Sequence, residues 1–263
     1  MVRSVRLPTH SSIITVMTRA AIRAAKGLLR DFSELESLQV SVKNNRDFVT
    51  SADLKADQIL REELLKARPT YSFLSEESDK VIGENPGYQW IVDPLDGTLN
   101  YMHGFPHWAV SIALEKNGEI VAAVTYDPVK NEMFWGEKGC GAYLNDKKIR
   151  VSGRRDMREA LMVLGALDSS ITFGRTASSQ IRKTGSTTLN MAYLAAGRLD
   201  ILYFSNPCKW DVAAGMLLIR EAGGILADGN GDPTGNFEEI KIMCNMSLLQ
   251  QVAKSRGSHN IFC

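Results

Sequence analysis

The chain lacks any pair of cysteines that spacing would tie together. Cys140, Cys208, Cys244 and Cys263 stand singly and form no C-x-x-C. This excludes a disulfide-stapled secreted domain and the common zinc-finger patterns, and it points to a reducing compartment. Long apolar runs are also missing. The stretch from Ile13 to Leu29 is interrupted by Arg19, Arg23 and Lys26, so it reads as an amphipathic helix and not as a signal-peptide core or a membrane span. The expected location is the cytoplasm, although a basic first helix with no acid before Asp31 would also suit mitochondrial import. Net charge is nearly absent: 31 Lys and Arg against 30 Asp and Glu leave +1. No global field therefore favours nucleic acid or a membrane surface. The four histidines, His10, His103, His107 and His259, show no ligand spacing. No repeat, linker or low-complexity segment is present.

What is present suits one large domain or two intimate ones: 263 residues, 44% apolar and 23% charged, enough to bury a sizeable core. Ser11 or Ser12 can cap a helix running to about Arg30. Thr50-Ser51-Ala52-Asp53 opens a second, which Pro69 ends. Tyr71 to Leu74 reads as a strand. From Trp108 to Val151 the pattern is an antiparallel meander, punctuated by Lys116-Asn117-Gly118, Asp127-Pro128 and Asn145-Asp146. After Arg154 helices alternate with strands. Ser186 to Ala196 is a helix stopped by Gly197, Asp200 to Phe204 a strand, and Trp210-Asp211 opens a helix stopped by Gly223-Gly224. Ile225–Ala227 and Ile240–Cys244 are further strands, and Met246–Arg256 is a last helix. The composition change near residue 151 divides the chain into an α+β half, 1–151, and an α/β half, 152–263.

The informative stretch is Trp90-Ile91-Val92-Asp93-Pro94-Leu95-Asp96-Gly97-Thr98-Leu99-Asn100. An apolar, β-prone run turns acidic at its end, and Pro94 is expected to stop the strand. Gly97-Thr98 can open a helix whose free N–H groups favour an anion. Two carboxylates beside such a nest would hold divalent metal and phosphate together. Asp96-Gly97-Thr98-Leu99 resembles the haloacid dehalogenase pattern Asp-x-Asp-Gly-Thr, but Pro94 stands where that pattern needs its nucleophile. A metal-activated water is therefore expected, with no aspartyl-phosphate. Three further acids border apolar segments, and each has a plain structural reading: Asp53 completes a capping-box spacing from Thr50, Asp211 suits an N-cap, and Glu76-Glu77 suits a solvated loop.

Taken together, Asp93-Pro94-Leu95-Asp96-Gly97-Thr98-x-Asn100 and Trp210-Asp211-x-Ala213-Ala214-Gly215 resemble the two signature motifs of the inositol monophosphatase family, in its bacterial form. Glu76-Glu77-Ser78 and Thr50-x-x-Asp53 fit its remaining acidic positions in the same order. The resemblance covers nearly the whole chain. It implies an α+β fold of the sugar-phosphatase type, a layered αβαβα sandwich, and Mg²⁺-dependent hydrolysis of a small phosphate monoester, inositol 1-phosphate first. It implies a first Mg²⁺ on Glu76, Asp93 and the Leu95 carbonyl, a second on Asp93, Asp96 and Asp211, and a weaker third on Glu76 and water. Thr98 with Asp53 would orient the attacking water. The Gly97 and Thr98 amides would hold the phosphate, with Asp96, Gly185, Ser186, Thr187, Asp211 and Lys43 on the substrate side. Lithium inhibition and a homodimer are implied likewise, with no membrane or nucleic-acid partner.

The chain departs from the pattern on the substrate side. Many family members carry a Glu seven residues before the second-motif Asp, where it binds polyol hydroxyls; here that position is Phe204. The segment between Leu164 and Arg182 is also short. Ser205, Asn206 or Lys209 would contact the alcohol instead. Loss of a hydrogen-bonding acid weakens selectivity for a polyol. This keeps open histidinol phosphate, fructose 1,6-bisphosphate and 3′-phosphoadenosine compounds as substrates. It also keeps open a regulatory binding protein that retains the fold.

Overall fold

The computed structural model describes residues 11–38, 45–165 and 180–256. Ser11 caps α1 (Ser12–Leu38), its Oγ accepting the Ile14 amide at 3.1 Å. Ile14, Met17, Ala21, Ala24 and Leu28 recur at helical spacing and are buried along one face. The helix runs past the expected end at Arg30, because Asp31 and Phe32 continue the buried face and no glycine or proline interrupts them. The second helix, α2 (Asn45–Ala67), opens ahead of Thr50. Asp53 is therefore interior to a helix and not part of a capping box.

Seven strands follow in chain order: β1 (Tyr71–Ser75), β2 (Asn85–Asp96), β3 (Ala109–Lys116), β4 (Glu119–Asp127), β5 (Glu132–Glu137), β6 (Gly141–Leu144) and β7 (Lys147–Ile149). They form one sheet in that same order, with β1 and β2 parallel and the rest antiparallel. The hairpin turns place Asn117, Asn131 and Asn145 at positive φ, a region asparagine tolerates better than most side chains. Pro94 does not stop its strand. β2 passes through it to Asp96, and the pairing slips there: Asp93 faces Ser111 while Asp96 faces Ala109. Three steps along β2 thus match two along β3. A bulge of this kind needs no ladder N–H from its extra residue, which is why proline is accepted. A short helix, α3 (Thr98–Met102), follows at once.

The second sheet contains β8 (Met162–Leu164), β9 (Ile181–Arg182), β10 (Ile201–Tyr203), β11 (Ile225–Ala227) and β12 (Ile242–Cys244), in the order β11-β12-β10-β8-β9. It is mixed, with β8 parallel to both its neighbours and β12 antiparallel to both of its own. Between the sheets lie α4 (Thr187–Ala195) and α5 (Lys209–Glu221), and α6 (Met246–Arg256) covers the outer side. Period-2 alternation assigns the strand residues to three cores. Trp90, Val92 and Trp135 face α1 and α2. Ile91, Ala113 and Phe134 face α4 and α5, which also take Leu202 and Met243 from the second sheet. Met162, Ile201 and Ile242 face Leu248 and Val252 of α6. The layers are therefore αβαβα, as the resemblance implied. No helix among the described residues is long and apolar enough to cross a membrane.

Candidate active site

The bulge in β2 has a direct consequence for its two acids. Residues three apart in a regular strand point to opposite faces. The extra residue between Asp93 and Asp96 restores both to the face that meets α4 and α5, since their partners Ser111 and Ala109 are two apart. Asp93 is almost wholly buried, and its Oδ1 accepts the Leu95 amide inside the bulge at 3.1 Å.

Two other elements bring acids to this point. Ser75 ends β1, and its hydroxyl donates to Asp57 of α2, with both residues buried. This ties down the chain just where Glu76 leaves it. Asp211 sits in the first turn of α5, three residues after the N-cap Cys208, whose amide it accepts at 3.0 Å. It completes a capping box and is not itself the N-cap. One carboxylate oxygen from each of Glu76, Asp93 and Asp211 lies within 4.8 Å of the others.

Asp96 has a different environment. It points at the start of α4, where the Ser186 hydroxyl, the Thr188 amide at 2.9 Å and the Thr188 hydroxyl at 2.6 Å donate to Oδ2. The Thr187 amide donates to Oδ1 at 3.2 Å. Ser186 is the N-cap of that helix, so Asp96 draws on both the cap and the free amides of a helix N-terminus. Thr188 carried no signal in the sequence beyond its place in a Ser-Thr-Thr run.

The electrostatics separate the two situations. Burial and then the neighbouring acids Asp96, Glu76 and Asp211 push Asp93 well above the usual carboxylate range. Partial desolvation, then Asp211, raises Glu76 from 4.5 to about 7. Burial and Asp96 raise Asp211 from 3.8 to about 6, against the Cys208 amide. Asp96 is raised by burial, but the donors of α4 pull it back. Like charges that converge without a counter-ion repel, and hard oxygen donors of this kind fit a divalent cation of the Mg²⁺ type.

Asp53 approaches from α2. It is buried, and its Oδ1 has no hydrogen-bond partner among the described residues. Burial, then Glu77, Glu76 and Asp57, raise it to about 8. Thr98 opens α3, against which α2 packs, and its hydroxyl donates to the Leu95 carbonyl at 3.0 Å. Gly97 precedes it at φ +93°, and a Cβ there would lie 3.0 Å from the His107 carbonyl, so the turn into α3 demands glycine. Asn100, named in the motif but given no role, joins two segments: its Nδ2 donates to His107 O at 2.7 Å and to Thr184 O at 2.8 Å. Lys43 lies outside the described residues.

Phe204, which stands where many family members carry a Glu, is buried. Directly after β10 it shares the face of Leu202 and is 4% exposed, within the core between the sheets. Of the substitutes, Asn206 accepts Lys241 Nζ at 2.9 Å, and Lys209 pairs with Glu115 at 2.6 Å.

The chain matches the inositol monophosphatase family over residues 9–260. The chain belongs to that family. It is 46% identical to the inositol-1-monophosphatase of Rhizobium meliloti, across 89% of this chain and 92% of that protein. It is 40% identical to the Nus factor SuhB of Xylella fastidiosa, across 93% and 95%. The extragenic suppressor protein suhB from Bartonella henselae has a solved structure that superposes with a TM-score of 0.84 at 40% identity, covering 93% of this chain and 99% of that one. An inositol monophosphatase family chain whose acids converge in this way is a phosphatase of that type.

Proposed function

We propose that this phosphatase hydrolyses a small phosphate monoester, with inositol 1-phosphate the leading substrate, and that it does so with Mg²⁺. The observation that carries the reading is the meeting of Glu76, Asp93 and Asp211, which among the described residues pair with no Lys or Arg. These three would hold the cation. Asp96 would join through Oδ1, which carries the longest of its bonds, and the Leu95 carbonyl would join beside Thr98. Two to three ions are proposed. Bound there, a divalent cation neutralises the acids, polarises a phosphoryl oxygen and lowers the pKa of water.

The remaining steps belong to the protein's own groups. Asp53 Oδ1, buried and without a partner among the described residues, accepts the proton of the attacking water, and Thr98 orients that water. The Gly97 and Thr98 amides receive phosphate oxygens. Gly185, Ser186 and Thr187 stand beside Asp96 on the substrate side, and Lys43 belongs with the phosphate by resemblance. Because Phe204 is core, polyol selectivity must come from elsewhere, and the alternative monoesters keep their place on the test panel. A homodimer in the cytoplasm completes the proposal; the free thiols Cys140, Cys208 and Cys244 accord with a reducing setting.

A second reading is favoured by the relatives named Nus factor SuhB: a binding protein that retains the fold. Phosphate release from a monoester panel, with Mg²⁺, with chelator and with lithium, separates the two. Mg²⁺-dependent release, lost with chelator, is expected. No release from any monoester would move the chain to the second reading.

A further inference from the structure

Behind the 103–107 segment lies a polar cluster that the proposed chemistry leaves unused. Asp127, fully buried at the end of β4, accepts the Lys130 amide at 3.0 Å and the Lys130 ammonium at 2.7 Å. The Tyr193 hydroxyl of α4 reaches the same carboxylate at 3.5 Å. Lys130 Nζ also donates to the Pro106 carbonyl at 3.1 Å. The next residue, His107, is buried edge-on to the Tyr193 ring at 5.8 Å, and its carbonyl is the one that holds Asn100. Asn100 passes the constraint to Thr184 O. Gly185 follows at φ +84°, so close to Asn100 that a Cβ would lie 2.9 Å from its side chain. Ser186 and the amides that grip Asp96 come next.

We propose that Lys130 is a positioning residue for the start of α4: anchored on buried Asp127, it fixes Pro106 and His107, and through Asn100 it sets the Gly185–Thr188 segment on Asp96. The β4–β5 turn does not itself require the ammonium, because the Lys130 amide already closes the turn on Asp127. The ammonium's second bond leaves the hairpin for a segment 24 residues away. That segment forms neither helix nor strand beyond α3, and its carbonyls need such external donors. The kinetic part of this inference rests on the phosphatase reading; the structural part does not.

The test uses the full chain with Lys130→Met, Lys130→Arg, Asn100→Ala and the Lys130→Met/Asn100→Ala double variant. Lys130→Met is expected to lower kcat/KM for a monoester about tenfold, as small misplacements of a site do, with Lys130→Arg restoring most of it. The double variant should be no worse than Asn100→Ala alone, the mark of two residues in one chain of contacts. By hydrogen exchange, the Thr187 and Thr188 amides should exchange faster in Lys130→Met, while the Cys208 amide on Asp211 is unchanged. Losses that multiply in the double variant, or unaltered exchange at Thr187 and Thr188, would overturn the proposal. If the wild type releases phosphate from no monoester, the phosphatase reading fails and the exchange data alone decide.

Discussion

Asp93 and Asp127 are buried carboxylates on the same face of the same sheet, separated by β3, and the fold treats them in opposite ways. Asp127 receives an ammonium, an amide and a tyrosine hydroxyl. Asp200, also buried, is treated like Asp127: Ser152, Arg154 Nε at 3.1 Å and the Leu161 amide at 2.7 Å all donate to it. Among the described residues Asp93 receives one amide and is then surrounded by other acids. A chain that can neutralise a buried acid where only architecture is at stake, and does not do so at Asp93, marks the place where the neutralising charge comes from outside.

This contrast predicts effects of opposite sign. Asp93→Asn should lower monoester hydrolysis by on the order of 10³, since it removes charge from a cation-dependent site, yet raise the melting temperature measured in chelator. A fall in that temperature would break the contrast. Asp127→Asn should act the other way, destabilising by about 2 kcal/mol as charged hydrogen bonds are lost, which chemical denaturation would measure.

The pH dependence sharpens the same point. Asp53, Glu76 and Asp211 stand at about 8, 7 and 6 in the folded protein, above the roughly 4 of an unfolded chain. Between those values the folded state holds more protons than the unfolded state. Stability without metal is therefore fullest in mild acid and declines as pH climbs to about 8. Added Mg²⁺ should flatten that decline in a thermal melt, and a decline of equal slope with and without the ion would argue against the cluster as its site. The smallest effect is expected at Lys138, paired with Glu119 at 2.6 Å where both side chains are more than half exposed. Lys138→Ala should change stability by under about 0.5 kcal/mol, the baseline against which Asp127 is judged.

The sequence carried the strand order of the meander, because local pattern and chain order suffice for it, and it carried the layered architecture and the grouping of Glu76, Asp93 and Asp211 only through its resemblance to the family. It did not carry the end of α1 or the opening of α2, which tertiary burial of Phe32 and Ala52 decides and no cap announces. The partner of Asp96 was invisible because Ser186 lies 90 residues away. The burial of Phe204 did have a signal: Ile201 to Phe204 are apolar without alternation, the pattern of a strand covered on both sides.

The slipped register between β2 and β3 also bears on how this chain can vary over evolutionary time. Lengthening the Asp93–Asp96 interval by a single residue, with the bulge kept, would leave every side chain chemically intact, yet turn one acid toward Trp90 and α1; removing the bulged residue would leave two steps of regular strand, which keep both acids on one face. The interval is thus not a matter of reach that a longer side chain could correct. It is a matter of parity: an interval of odd length needs the bulge, and one of even length must do without it.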